Sequence, residues 1–196
     1  SYTVFDYNDY TDNIACFRIP SIVSYNNTLL AFAEARQFNC DDCGFSRIVY
    51  KSSTDRGRTG GTLLFLTQSG LRAKNPTVVY DPSTQQILLH YAIGYTSSAQ
   101  CCPAESNWQA ISSNGKDWIY KNISAYLHTF VGSLPGPGNG YYDIQTRRIL
   151  FPYHYKTASR LNGQAIVLYS EDNGSTYTRG ETQFDGTDEA SITQWN

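Results

Sequence analysis

The chain has 196 residues, with 15 Lys+Arg against 17 Asp+Glu and a formal net charge of −2. No basic run or stripe breaks that balance, which excludes a nucleic-acid binder. The longest apolar stretches, such as Leu29–Ala33 and Ile166–Leu168, fall far short of the roughly 18 residues that cross a bilayer as a helix, so no transmembrane segment is expected. Hydrophobic residues make up 40%, enough for a sizeable core and too much for a disordered chain. With 16 Tyr, 9 Phe, 3 Trp and 15 Gly, the composition points to strands and turns. There is no Met, so the chain is read as beginning after processing or as an excerpt, and the lack of a signal peptide leaves its compartment open.

In chain order, the predicted strands fall into units of four. Unit one has Ile19–Tyr25, a turn at Asn26-Asn27, Leu29–Arg36, a loop, Arg47–Ser53, a second turn and Thr62–Thr67. Unit two has Thr77–Tyr80, a turn at Asp81-Pro82-Ser83, Ile87–Tyr95, a loop, Trp108–Ser112, a turn and Trp118–Tyr126. Unit three has Tyr141–Ile144, Arg148–Tyr155, Gln164–Ser170, a turn and Thr176–Phe184. A fourth unit opens near Glu189 with Ala190-Ser191-Ile192. Helical periodicity is absent.

The last turn of each unit carries a repeated motif. Ser53-Thr54-Asp55-Arg56-Gly57-Arg58-Thr59 and Ser170-Glu171-Asp172-Asn173-Gly174-Ser175-Thr176 both read S-x-D-x-G-x-T. Between them, Ile111–Trp118 is a degraded copy, read with Ser113 at the Asp position. The aligned glycines, Gly57, Gly115 and Gly174, are spaced 58 and 59 residues apart. Asp and Ser side chains bond nearby backbone N–H groups and Gly accepts positive φ, so these are structural hairpin turns and not catalytic carboxylates. A following aromatic would pin the turn to the sheet.

Four short strands at this period predict an all-β fold, a β-propeller of four-stranded antiparallel blades. The blades span about 14–69, about 70–130 and about 131–186, with the start of a fourth at about 187–196. Propellers close with 4 to 8 blades, and an open run of three leaves bare edges, so the chain reads as part of a ring.

Five cysteines are present: Cys16, Cys40, Cys43, Cys101 and Cys102. Cys40-Asp41-Asp42-Cys43 has C-x-x-C spacing, but no second pair or His follows at metal spacing, so no metal site and no cofactor are expected. A disulfide framework in an oxidising compartment is the simpler reading. Three N-x-[ST] sequons, at Asn26, Asn122 and Asn173, agree with a secreted or extracellular/lumenal location. Cys40/Cys43 and Cys101/Cys102 lie in corresponding loops of neighbouring blades. The expectation is that disulfides staple those loops, with Cys16 as the odd cysteine, paired outside this chain.

Strand parity sorts the connections. In a blade with strands A to D, the start of A, the B–C loop and the end of D share one rim, here the front. The A–B and C–D turns share the back. A strands line the centre, so front-rim residues on A converge on a central cavity. Arg18 opens strand A of unit one and Arg36 ends its strand B. Asp41 and Asp42 follow in the B–C loop, Asn75 opens unit two, and Glu189 opens unit four, 171 residues or three units of 57 after Arg18. Ion pairs of Arg18 and Arg36 with Glu34 or an Asp are the alternative to a functional role.

Phe17-Arg18-Ile19-Pro20, then Ala31-Phe32-Ala33-Glu34-Ala35-Arg36, then the Asp-box repeats, resemble the sialidases (neuraminidases). Asn75-Pro76-Thr77-Val78-Val79, Gly136-Pro137-Gly138-Asn139-Gly140 and Thr187–Ile192 are similar to segments in the same order in that family. The resemblance covers essentially the whole chain and implies the N-terminal half of a six-bladed propeller that acts as an exo-sialidase on terminal sialic acids of glycoconjugates. Arg18 matches the first of three arginines that clamp the sugar carboxylate, Arg36 a further arginine near the C4 side, and Glu189 the glutamate that activates a tyrosine nucleophile. For the general acid/base, Asp42 is preferred because it lies 11 residues before Ser53, with Asp41 as the alternative. The remaining two clamp arginines and the tyrosine match nothing here, so the resemblance implies that they come from a missing C-terminal half. The implied partner is a sialylated glycan, and the chain alone is expected to be inactive. A catalytically silent sialoglycan-binding module and a structural extracellular propeller are the competing readings.

Overall fold

The structure, a computed structural model, describes residues 3–6, 13–94, 104–127, 131–157, 160–181 and 184–193. Blade one comprises β1 (Ile14–Tyr25), β2 (Thr28–Gln37), β3 (Ser46–Ser53) and β4 (Leu64–Phe65). Blade two comprises β5 (Arg72–Asp81), β6 (Gln86–Gly94), β7 (Ala104–Ser112) and β8 (Ile119–Asn122). Within each blade, neighbouring strands pair antiparallel in sequence order. A single parallel bridge, Ser46 to Arg72, joins the two blades into one hydrogen-bonded sheet.

Blade three departs from the expected pattern. Its strand A is broken into β9 (Val131–Pro135), β10 (Gly138–Asn139) and β11 (Tyr141–Asp143). β9 and β11 both pair with β12 (Arg148–Thr157), whereas β10 turns away to pair in parallel with β5. The break follows Gly136 and Gly138, both at positive φ, around a cis Gly136-Pro137 bond. β13 (Arg160–Ser170) completes the sheet with the short β14 (Thr178–Arg179) and β15 (Phe184–Asp185). Two further corrections concern blade two and the start of blade four. The expected strand over Trp118–Tyr126 ends at Asn122 and gives way to a 3-10 turn at Ser124–Tyr126. Residues Ala190–Ile192 form no strand.

The A–B turns follow from their residues. Asn26 and Asn27 take φ of 41° and 60°, the two positive values that a tight two-residue hairpin requires. Asp81 accepts from Ser83 N, Ser83 Oγ and Thr84 Oγ1, and Asp143 accepts from Gln145 N and Thr146 Oγ1, so one Asp closes each four-residue turn.

The C–D turns are the Asp boxes. Asp55 accepts from Ser53 Oγ, Arg58 N, Thr59 N and Thr59 Oγ1, and these bonds hold its carboxyl far below the usual range. Asp172 repeats the pattern with Ser170 and Thr176. In the degraded box Asn114, not Ser113, fills the Asp role: its Oδ1 accepts from Lys116 N and Asp117 N. That box is one residue shorter, with Gly115 three residues after Ser112 instead of four. Aromatics pin the second and third boxes to the preceding blade, whereas the first has Gly60 at that position. Trp118 packs edge-on to Phe32 and Tyr50 of blade one, and Tyr177 packs on His90 and Phe151.

The core accordingly lies between blades. One cluster joins Leu30, Phe32, Ile48 and Tyr50 of blade one to Val78, Ile87 and Leu89 of blade two. A second joins Val79 and Leu88 of blade two to Ile149, Phe151, Tyr153 and Leu168 of blade three. The A strands meet along one line: Ser21 Oγ donates to Asn139 Oδ1 at 2.8 Å, and Asn139 also accepts from Ile22 N and donates to Ile22 O. Three blades fan from a shared axis without closing, which is a partial propeller.

Candidate functional site

All three A strands carry a kink at the same level. Ile19, Asn75 and Gly136, each preceding a proline, take φ of 54°, 52° and 65°. In β1 the kink inserts one extra residue between Arg18 and Ser21 against Glu34 and Phe32 of β2, and β5 has the same shift between Lys74 and Thr77. An extra residue reverses side-chain alternation, so the bulge re-aims Arg18 onto the face of its cross-strand partner Glu34. A β-branched Ile at positive φ stores strain on the order of 1–3 kcal/mol, held by the surrounding sheet. The bulge also settles register: Lys74, not Asn75, is the blade-two equivalent of Arg18.

Arg36 is the centre of the site. Its Nε donates to Glu34 Oε2 at 2.9 Å, and its Nη1 donates to Cys40 O at 2.7 Å and Asp42 Oδ1 at 2.6 Å. Burial opposes its charge, but Glu34 and Asp42 outweigh burial and raise its pKa. Glu34 is fully buried. It also accepts from Asn75 N at 2.8 Å and lies 3.9 Å from Lys74 Nζ, so one carboxylate ties two blades together. Asp42 remains 68% exposed. The hydrogen bond from Arg36 holds its carboxyl below the ordinary range, and the charges of Arg36, Arg18 and Lys74 act in the same direction. Arg18, Arg36, Asp42 and Lys74 therefore share one electrostatic neighbourhood on the front rim, the region strand parity indicates.

The other candidates make no side-chain bond to Arg36. Among the described residues the Asp41 carboxylate makes no hydrogen bond or ion pair, and its backbone N–H binds Asn39 Oδ1. Asn75 is buried, and its amide donates to Pro135 O of blade three at 3.0 Å. Glu189 is exposed beside the blade-three kink, where Ala190 N donates to Gly136 O. The ion-pair alternative for Arg36 is realised, with Glu34 as a buried partner. Neither Glu34 nor Lys74 was singled out for the site from sequence. The signal that could have found Glu34 was a carboxylate at an inward-facing position two residues before Arg36, which must be compensated if buried.

A disulfide joins Cys16 to Cys40, which overturns the expectation that Cys16 pairs outside the chain. The reason is register: Cys16 lies directly across from Arg36, at the strand end where the B–C loop departs. Cys43 is disulfide-bonded too, so both ends of the Asp41-Asp42 segment are tied. Cys101 and Cys102 lie outside the described residues.

No family model matches the chain. It is 28% identical over 200 residues to a sialidase of Paraclostridium sordellii, an alignment that covers 91% of this chain and 49% of that relative. It therefore spans about half the length of the curated relative it matches. Among solved structures, Trypanosoma rangeli sialidase in complex with 2,3-difluoro-KDN superposes with a TM-score of 0.80 at 18% identity, over 93% of this chain and 32% of that one. The leech intramolecular trans-sialidase complexed with 2,7-anhydro-Neu5Ac superposes with a TM-score of 0.70 at 15% identity, over 91% of this chain and 45% of that one. The chain therefore has the fold of part of a sialidase β-propeller and resembles a sialidase in sequence.

Proposed function

We propose that the chain is part of an exo-sialidase-like glycoside hydrolase acting on terminal sialic acids of glycoconjugates. The observation that carries this reading is the front-rim cluster of Arg18, Arg36 and Asp42, with Asp42 Oδ1 2.6 Å from Arg36 Nη1. The curated relative and the solved neighbours support it.

The chemistry suits these residue types. The anomeric carbon of sialic acid bears a carboxylate, which a guanidinium binds in a planar fork. Arg18 takes that carboxylate and Arg36 the far side of the sugar, with Asn75 and Lys74 holding the wall between them. A carboxylate nucleophile would be repelled by the same group, and sialidases use tyrosine in its place. The tyrosine comes from residues beyond this chain, with Glu189 as the base that accepts its proton. Asp42 protonates the leaving glycosidic oxygen and later deprotonates the attacking water, with retention of configuration. The site of action is extracellular or lumenal, in keeping with the disulfide and with the exposure of Asn26, Asn122 and Asn173. No helix among the described residues is long and apolar enough to cross a membrane.

The test is hydrolysis of a fluorogenic sialoside. A longer protein containing this chain turns it over, Asp42→Ala abolishes turnover while N-acetylneuraminic acid still binds, and the 196-residue chain alone is inactive. Binding without turnover by the longer wild-type protein would establish the silent-lectin reading, and neither binding nor turnover the structural one.

A further inference from the structure

A cleft of about 510 Å³ opens between the outer strands of blades one and two. Its walls include Phe65 of β4, Tyr91 of β6, Trp108 of β7 and Tyr120 of β8, with Arg47 and Gln68 also lining it. These residues sit at the end of strand D in blade one and around the B–C ends of blade two. The cleft therefore opens on the same rim as Arg36 and Asp42, but outside the central cavity. The chemistry proposed above uses none of its residues.

One polar group in it is available to a ligand. Tyr91 is 3% exposed, yet its hydroxyl has no hydrogen-bond partner among the described residues. The neighbouring groups are already engaged: Tyr120 OH donates to Leu66 O at 3.1 Å, and Trp108 Nε1 donates to Ser106 Oγ at 2.9 Å. The Tyr91 oxygen is not sealed from solvent, so an incoming polar atom can take the place of water on it. Burial raises the Tyr91 pKa, with Tyr120 adding to the effect, so the phenol stays neutral and can donate or accept.

The walls choose the ligand class. Aromatic faces carry negative charge density that attracts C–H groups, so they suit a ring with an axial C–H face. A cation would meet Arg47, whose guanidinium lies 3.5 Å from the centroid of Phe65 and whose Nε donates to Thr67 O. A wholly apolar ligand would leave the Tyr91 hydroxyl bare. A neutral pyranose offers both a C–H face and a hydroxyl edge. We infer that this cleft is a second carbohydrate subsite for a neutral pyranose, stacked on Trp108 and Tyr120 and hydrogen-bonded to Tyr91. The inference deepens the proposed function and rests on it in one respect: a glycan whose end residue fills the central cavity carries its neutral sugars across this rim.

The experiment is an NMR titration of the 15N-labelled 196-residue chain with the methyl glycosides of galactose, glucose and N-acetylglucosamine, and separately with N-acetylneuraminic acid. At least one neutral glycoside shifts the Trp108 indole N–H. Tyr91→Phe weakens that binding about fivefold, the worth of one hydrogen bond, and leaves the Tm unchanged. No shift at Trp108 from any of the three glycosides overturns the subsite. So does binding that Tyr91→Phe leaves intact, or a fall in Tm in that variant, which would reveal a structural partner for the hydroxyl. The carboxylate clamp needs arginines that the 196-residue chain lacks, so failure of N-acetylneuraminic acid to bind it strikes neither reading, and the proposed function falls separately, by absence of sialoside turnover in the longer protein.

Discussion

Arg36 Nε donates to Glu34 Oε2 at 2.9 Å, with side-chain exposures of only 3% and 0%. The other Glu34 oxygen accepts Asn75 N–H from the next blade. A charge pair removed this far from water is stable only while every partner is present. Glu34→Ala is expected to cost about 3–5 kcal/mol of unfolding free energy, read from urea midpoints, because it removes the buried carboxylate that Arg36, Lys74 and the Asn75 N–H share. A cost below about 1 kcal/mol would mean that water or another acceptor compensates the guanidinium.

Asp42 has to carry a proton to act as an acid, yet Arg36, Arg18 and Lys74 keep its pKa low in the unliganded chain. An anionic ligand on the arginines cancels part of that field, and the Asp42 pKa then rises. Carboxyl chemical shifts followed through a pH titration should move to a higher midpoint when N-acetylneuraminic acid is added. If the longer protein turns over sialosides as proposed, Asp42→Asn in it should lower kcat by about a hundredfold or more while Asp41→Asn stays near wild type. Equal losses in the two variants would return the acid role to an open choice between neighbours.

The Cys16–Cys40 bridge spans a sequence separation of 24, and Cys40 O also receives Arg36 Nη1. Replacing both cysteines by serine should cost about 3 kcal/mol of stability. It should also weaken N-acetylneuraminic acid binding, because the loop that orients Arg36 loses its anchor. Non-reducing peptide mapping should recover the Cys16–Cys40 pair, and a Cys16 thiol free to alkylate would contradict the bridge.

His90 sits at the blade two–three interface, stacked on Phe151 at 3.5 Å between centroids. Its Nε2 meets Gln109 Oε1 and Tyr177 OH, and its Nδ1 meets Tyr153 OH. Burial pushes its pKa down to about 3. The unfolded chain takes up this proton near pH 6.5, so stability is complete above that pH and is lost as pH falls toward 3. The slope from this residue alone approaches about 1.4 kcal/mol per pH unit in that window. His90→Gln should flatten the dependence of the urea midpoint between pH 6 and pH 4 (about two units of the window). An unchanged slope would assign the acid sensitivity to the carboxylates.

The Asp boxes are seams between blades. Gly115, at φ 69°, faces the Tyr25 hydroxyl and Leu30, and Gly174, at φ 84°, faces Leu88. Alanine at either position combines unfavourable φ with a collision and should cost about 1–3 kcal/mol. N-acetylneuraminic acid binding at the opposite rim should be unchanged in both variants. Loss of binding at full stability would mean that the two rims are coupled.

The local chemistry of this fold was legible in the sequence. Alternating strands, Asn and Asp turns and the Ser-Asp-Gly boxes announce themselves because their causes lie within a few residues. The 58-residue spacing turned them into blades, and parity of short strands placed Arg18, Arg36 and Asp42 on one rim. Tertiary structure alone decided which groups meet. The positive-φ kinks before Pro20 and Pro76 shift register by one residue, and the paired strand reveals this, which is why Lys74 and not Asn75 aligns with Arg18. Glu34 reads as one more residue of an alternating strand until a neighbouring blade buries it against Arg36 and Asn75. The partner of Cys16 was hidden for the same reason: cross-strand distance is set by pairing, and spacing along the chain does not contain it.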